Sequence, residues 1–341
     1  MERMGVGVIG LGVFGELHCK TYAADPRVKL VGVCDIDGER ATQRAEQYRA
    51  EFSCTDFAEL LSREDIAAVS VATPDFAHRE IVIAAAEAGK HVLVEKPMAM
   101  TVDDCQAMIA AAEKADVTLM VDFHNRFNVP FVATREKIRD GSLGEPKMAY
   151  VRLSDTTYVP TTMIRWASKT TVAWFLGVHC VDLLRWLFED EVRRVTAVSR
   201  SGVLQAMGVD TPDFFQSILE FERGGVACVE NSWILSSTMP CVYDFKFELC
   251  CAKGTVNVDT SSSGLVRIFD AHGETFPDFL NVVDYHGQPG GFGVQSIRHF
   301  ISVVLGEAEP LSGPNDGLEA TRVVAAIHES AEKGAPVDIE R

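Results

Sequence analysis

The sequence predicts an α/β protein: an N-terminal doubly wound parallel sheet, then an α+β domain built on an open-faced, mostly antiparallel sheet. Three observations carry this expectation. From Val6 to Asp122, short apolar runs alternate with amphipathic stretches, the pattern of successive βα units whose strands are buried on both faces. Beyond Asn125, strand-like segments follow one another with few helices between them, as in an antiparallel sheet. The length of 341 residues, at about 150 per domain, argues for two domains. The division is placed at 1–123 and 124–341, with the C-terminal helices as candidates to pack back on the first domain.

In the first half the strands are read at Val6–Ile9, Leu30–Cys34, Ala68–Ala72, His91–Glu95 and Thr118–Val121. One helix, Ala77–Ala88, stops at Gly89, a residue suited to a left-handed C-terminal cap. Another, Thr101–Lys114, opens with a capping pattern, Thr101 standing three residues before Asp104. In the second half, strands are expected at Lys147–Ser154, Arg194–Arg200, Phe214–Glu222, Val226–Trp233, Val242–Cys250 and Leu265–Asp270. Helices are expected at Val172–Phe188, Gly293–Leu305 and Gly317–Lys333, and the run Thr260–Gly264 reads as a turn. A sheet with helices on one face leaves its other face to be covered, and a second copy would do that, so a homodimer or homotetramer is expected.

Composition narrows the function. With 47% hydrophobic and 24% charged residues the chain can bury a sizeable core. Its net charge of −17 would repel a phosphate backbone or an anionic membrane, so neither nucleic acid nor membrane is an expected partner. No run approaches the roughly 18 apolar residues of a membrane span. The nine cysteines are odd in number and contain no C-x-x-C, and the first residues lack the apolar core of a signal peptide. Both features fit a reducing cytoplasm. Cys180 and the pair Cys250–Cys251 read as small buried apolar residues.

Gly10-Leu11-Gly12-Val13-Phe14-Gly15 follows the first strand and opens a helix, the context in which G-x-G-x-x-G signals a dinucleotide site. The glycines allow a tight turn and bring backbone up to a pyrophosphate at the helix N-terminus. Asp35, 20 residues after Gly15, can accept a hydrogen bond from a ribose 2′-hydroxyl and would repel a 2′-phosphate. This favours NAD over NADP, and nearby Arg40 weakens the preference. Thr73-Pro74 ends the fourth strand, where ligands of such sheets bind, although an ordinary β-to-α turn reads the same way. Glu95-Lys96-Pro97 ends the fifth and sets an ammonium at the same edge, where positive charge would stabilise a developing alkoxide.

Together with Asn125-Arg126-Phe127, the Gly177-Val178-His179 helix and the ending Asp316-Gly317-Leu318-Glu319-Ala320, these motifs resemble the glucose-fructose oxidoreductase, inositol dehydrogenase and rhizopine-catabolism (Gfo/Idh/MocA) family. The resemblance covers nearly the whole chain. It implies an N-terminal Rossmann domain, an active site between the domains, and hydride transfer between a nicotinamide dinucleotide and a hydroxyl-bearing carbon of a sugar, cyclitol or sugar derivative. It also implies that Lys96 contacts substrate and nicotinamide and that His179 is the acid-base group. The cofactor set is then Gly10, Gly12, Val13, Phe14, Gly15, Asp35, Thr73, Pro74, His78, Glu95 and Lys96. The family's helix carries an aspartate four residues before this histidine, and here Phe175 stands in its place. A phenylalanine can neither orient an imidazole nor raise its basicity. Asp182, three residues after His179, is the nearest replacement on the same face, although a salt bridge with Arg185 also suits it.

Substrate contacts are assigned to Lys96, Asn125, Arg126, Tyr158, Arg165, Trp166, Trp174, Phe175 and His179. Aromatic faces suit the C–H face of a sugar ring, and the cations suit a carboxylate or phosphate. No histidine pair has metal-ligand spacing, so no metal is expected. The reading is an NAD(P)-dependent oxidoreductase acting on CH–OH groups. Its alternatives are a dihydrodiol or aldehyde/ketone reductase, an NAD-using enzyme without net redox, and an inactive dinucleotide-dependent regulator.

Overall fold

The structure, a computed structural model, describes residues 3–261, 266–270, 273–278 and 280–341. The chain divides into two compact units, 1–127 with 281–321, and 128–280 with 322–341.

In the first unit, β1 (Met4–Ile9), α1 (Val13–Ala24), β2 (Val28–Cys34), α2 (Gly38–Tyr48), β3 (Phe52–Cys54), α3 (Phe57–Leu61), β4 (Ala68–Val71), α4 (His78–Glu87), β5 (His91–Val94), α5 (Val102–Ala115) and β6 (Leu119–Val121) follow in order. The six strands are all parallel, in the order β3-β2-β1-β4-β5-β6. The order reverses between β1 and β4, so their carboxyl ends open the crevice where ligands of doubly wound sheets lie. Val6, Val8, Leu30, Val33, Leu93 and Met120 form the core on which α1 packs. The caps are those the sequence indicates: Thr101 accepts from the Asp104 N–H, and Gly89 has φ +70°. β3 and α3 escape the sequence reading because three and five residues are too short to show a period.

The second unit contains α6 (Val129–Arg139), β7 (Pro146–Asp155), a π-helical stretch Ala173–Gly177 running into α7 (Val178–Phe188), β8 (Val192–Arg200), α8 (Val203–Ala206), β9 (Phe214–Phe221), β10 (Val226–Ser232), β11 (Tyr243–Cys251) and β12 (Thr255–Asp259). A ribbon of β13 (Ile268–Asp270) and β14 (Gly273–Thr275) follows. The hairpin β15 (Val283–Tyr285) and β16 (Gln288–Gly290) and helix α9 (Phe292–Val304) belong to the first unit, the residues of α10 (Pro314–Lys333) are shared between the two, and β17 (Val337–Asp338) belongs to the second. Among the described residues the large sheet runs β12-β11-β7-β10-β9-β8-β17 and is antiparallel except where β7 meets β10.

Three expectations are corrected here. The helix expected over Val172–Phe188 is two pieces of different pitch, and at their junction Gly177 lets the backbone approach Asn231, whose Oδ1 would lie 2.8 Å from an added Cβ. The strand expected at Leu265–Asp270 stays out of the main sheet and pairs in the small ribbon; Leu265 itself lies outside the described residues, as do Ser262, Ser263 and Gly264 of the expected turn. Cys250 and Cys251 are half-buried, whereas Cys180 is fully buried.

Candidate active site

The glycine loop owes its shape to backbone crowding. Gly10 has φ +86°, and a Cβ there would sit 2.6 Å from the Ala72 carbonyl oxygen. At Gly15 the Cβ would lie 1.8 Å from the Gly10 carbonyl oxygen. At Gly12 nothing stands within 4 Å, and this residue caps α1 without a side-chain hydrogen bond. The open side of the loop therefore presents backbone N–H groups at a helix N-terminus, as an anion requires. Val13 beside it is exposed.

Asp35, at the end of β2, pins this loop from behind: Oδ2 accepts the Leu11 N–H at 2.7 Å and Oδ1 the Asp37 N–H at 2.9 Å. Arg40 Nη1 lies 3.2 Å from both oxygens. At the end of β4 the buried Thr73 hydroxyl has no hydrogen-bond partner among the described residues, a polar atom left for a ligand to satisfy. His78 holds this edge together, its two ring nitrogens 2.9 Å from the carbonyl oxygens of Thr73 and Pro97. Pro74 stands between them in sequence, half-buried at the start of the following turn. Lys96 is buried, and its Nζ stands 5.4 Å from the centre of the Phe14 ring, so the ammonium of the E-K-P turn lies against the glycine loop. An open glycine cradle, an orphaned hydroxyl and an ammonium on one sheet edge fit a dinucleotide.

The same edge has an interior side that the sequence reading missed. Glu95 turns inward: its Oε1 is 3.2 Å from His18 Nε2, which is 3.6 Å from Asp122 Oδ2. His18 Nδ1 meets Ser70 Oγ at 2.8 Å. Burial raises the Glu95 carboxyl, but the hydrogen bond and charge of His18 outweigh it and hold the group below the usual carboxylate range. Burial and then the Glu95 charge push Asp122 up to about 7, while burial drives His124 down to about 4. The side chains of His18, Glu95 and Asp122, from α1 and the ends of β5 and β6, could also surround a metal ion, which no spacing along the chain indicates. One available signal was overlooked: Asp122 ends a strand as Glu95 does.

Asn125 and Arg126 are buried in the turn after β6, and Arg126 pairs with Asp316 at 2.9 Å and with the Leu311 carbonyl. In the second unit His179 lies in the first turn of α7 and is buried. Phe175 occupies an aromatic cluster, 5.7 Å from Trp233 and 6.3 Å from Trp166 between ring centres. Trp174 stacks on His328 at 5.2 Å, and His328 is fixed in turn by Thr171 and the Val324 carbonyl. Tyr158 and Arg165 are exposed. Arg185 closes a two-pronged pair with Glu191 at 2.6 and 2.7 Å. Another buried carboxylate absent from the sequence reading is Asp155, which accepts from Trp233 Nε1 at 3.3 Å.

Comparison with known proteins agrees with this edge. Residues 4–123 match the family model described as oxidoreductase family, NAD-binding Rossmann fold, and residues 131–257 match the GFO/IDH/MocA C-terminal domain. The chain is 27% identical to the myo-inositol 2-dehydrogenase of Thermotoga maritima over 99% of each chain. It is 31% identical to the levoglucosan dehydrogenase of Pseudarthrobacter phenanthrenivorans over 67% of each. The crystal structure of GenD2 from gentamicin A biosynthesis, in complex with NAD, superimposes with a TM-score of 0.86 at 25% identity, covering 100% of this chain and 97% of that one. With its glycine cradle, its E-K-P lysine and both family domains in sequence, the chain belongs to the Gfo/Idh/MocA oxidoreductases and carries their NAD-binding Rossmann domain.

Proposed function

We propose that this protein is an NAD-dependent dehydrogenase of a sugar, cyclitol or sugar derivative, with Lys96 and His179 acting on the reacting hydroxyl. The observation that carries it is the Lys96 ammonium held against Phe14 of the glycine loop. When bound, NAD supplies or accepts the hydride at its nicotinamide carbon. Lys96 donates a hydrogen bond to the substrate oxygen and stabilises its alkoxide character. In oxidation, neutral His179 takes the hydroxyl proton; in reduction its imidazolium returns it. The relatives named as dehydrogenases of myo-inositol and levoglucosan support a polyol-like substrate. Tyr158, Arg165 and Trp166, ahead of the His179 helix, are the proposed specificity residues. A panel of sugars and cyclitols with NAD tests the reading through the NADH absorbance band. Stoichiometric absorbance growth with one of them supports it; turnover without absorbance change favours the non-redox alternative.

The Trp166–Phe175–Trp233 cluster favours a second reading, oxidation of flat apolar dihydrodiols or reduction of aldehydes and ketones, if the polyol panel fails and such compounds turn over.

Cofactor choice rests on Asp35 and Arg40. Arg40→Ala is expected to weaken NADP binding about 10- to 100-fold, the worth of a charge-assisted hydrogen bond to a 2′-phosphate, and to leave NAD binding within about threefold. Fluorescence titration with both dinucleotides checks this, and equal losses for both would refute it.

Homo-oligomerisation is proposed through the sheet of the second unit. Met148, Ile218, Val226 and Val198 are exposed on its adjacent strands. Ile218→Arg should lower the molar mass measured by light scattering; an unchanged mass removes this face as the interface.

A further inference from the structure

Two cysteines lie side by side at the carboxyl edge of the parallel sheet, next to the aspartate that pins the glycine loop. Cys34 ends β2, Cys54 ends β3, and the two are register partners. Neighbouring strands run about 4.8 Å apart, inside the roughly 4.4–6.8 Å between Cα atoms that a disulfide spans. Both residues are buried, Cys34 at 3% exposure and Cys54 at 8%, and their thiols are close enough to shift one another's ionisation. Cys54 Sγ also donates to the Asp56 carbonyl at 3.2 Å. Neither sulfur has a part in the proposed reaction.

The backbone of this pair holds the dinucleotide loop. The Cys34 carbonyl accepts from the Gly10 N–H at 2.8 Å, and the Cys54 carbonyl accepts from the Asp35 N–H at 3.3 Å. Asp35 accepts in turn from the Leu11 N–H. β3 is a three-residue strand at the sheet edge, an element that shifts more readily than the strands inside. A disulfide brings its Cβ atoms to about 3.8 Å, closer than the roughly 4.8 Å between neighbouring strands, so closing one here displaces the backbone on which Gly10 and Asp35 rest. Burial raises both thiols above their ordinary range, which makes their oxidation slow and ties it to sustained exposure.

We infer that Cys34 and Cys54 form a reversible disulfide when a peroxide is present, and that this bond loosens the grip of the glycine loop on NAD. Cys54, the less enclosed of the two, reacts first: its thiolate attacks the O–O bond of hydrogen peroxide, giving a sulfenic acid and releasing hydroxide. The Cys34 thiolate then attacks the Cys54 sulfur, the S–S bond forms, the S–O bond breaks, and a second hydroxide leaves. The two thiols together lose two electrons and two protons, and one peroxide is reduced to two waters. A dithiol reverses the step by exchange.

The test treats the full-length protein, free of NAD, with excess hydrogen peroxide and digests it with trypsin without reduction. Cleavage after Lys29, Arg40, Arg49 and Arg63 leaves Cys34 and Cys54 each as the single cysteine of its peptide, 30–40 and 50–63. Mass spectrometry should find these two peptides joined, lighter than their sum by two hydrogens. Fluorescence titration of the oxidised protein should show the NAD Kd raised about fivefold or more, the worth of one loop-anchoring hydrogen bond, and dithiothreitol should restore it. Cys54→Ser and Cys54→Ala should bind NAD as wild type does and keep that affinity after peroxide, with thermal melts confirming that each is folded. Exposed Cys228 is common to all three proteins, so its oxidation cancels in the comparison. Unjoined peptides in a protein whose Cys228 has been oxidised, an unchanged Kd in the joined form, or an equal loss of affinity in the Cys54 variants each overturn the inference. Only NAD binding is read, so the outcome stands apart from that of the polyol panel.

Discussion

Replacing Lys96 with methionine should lower kcat by on the order of 10²- to 10³-fold, the usual consequence of removing one preorganised donor to a developing oxyanion. Methionine keeps an unbranched stem of similar length, so the buried space beside Phe14 stays filled and the fold is spared a cavity. NAD binding should remain within about threefold, because the cradle of Gly10, Gly12 and Gly15 is untouched. An interaction made in the transition state lowers kcat and kcat/KM together, whereas one that only holds the ground state raises KM alone. Steady-state kinetics with a turned-over polyol, beside fluorescence titration of NAD, separate the two. An unchanged kcat would remove Lys96 from the chemistry.

The second large effect separates two glycines of one motif. Gly15→Ala drives a Cβ to 1.8 Å from the Gly10 carbonyl oxygen, a backbone atom that cannot swing aside. Overpacking of this kind should cost about 3 kcal/mol or more, lowering the melting temperature by roughly 6–12 °C without any ligand present. Gly12→Ala meets nothing within 4 Å and asks for no left-handed backbone, since φ is −66°. Its apo melting temperature should stay within about 1 °C of wild type, while NAD affinity falls on the order of 10- to 100-fold as the methyl occupies the space that a pyrophosphate needs. Thermal melts with and without NAD read both variants. A Gly12→Ala protein that binds NAD normally would move the pyrophosphate away from this loop.

The same loop also marks where sequence reasoning succeeds. Gly10 and Gly15 could be assigned from spacing alone, because a tight strand-to-helix turn imposes the same backbone demands in any chain that makes it. Thr101 and Gly89 were legible for the same reason, each acting on its own helix end. Lys96 was legible because it directly follows a buried parallel strand, whereas Glu95 and Asp122, also at strand ends, turn inward onto His18. Arg126, assigned to substrate from its residue type, also pairs with Asp316, 190 residues away. Trp174 was read the same way and stacks on His328, which belongs to a helix near the other end of the chain. For both, the residue type suited either use, and the partner was invisible without the fold.

Residue order and composition were thus enough to establish the two architectures, the dinucleotide loop and the lysine at its edge, since each depends on periodicity or on backbone conformation within a few residues. The folded chain was needed to bring His18 against Glu95, 77 positions later, and both against Asp122. It was also needed to seat Phe175 between two tryptophans and to split its helix at Gly177. These are decided by which side chains share an enclosure once the sheets have formed, and burial, by removing water's screening, is what turns such neighbours into a chemical unit.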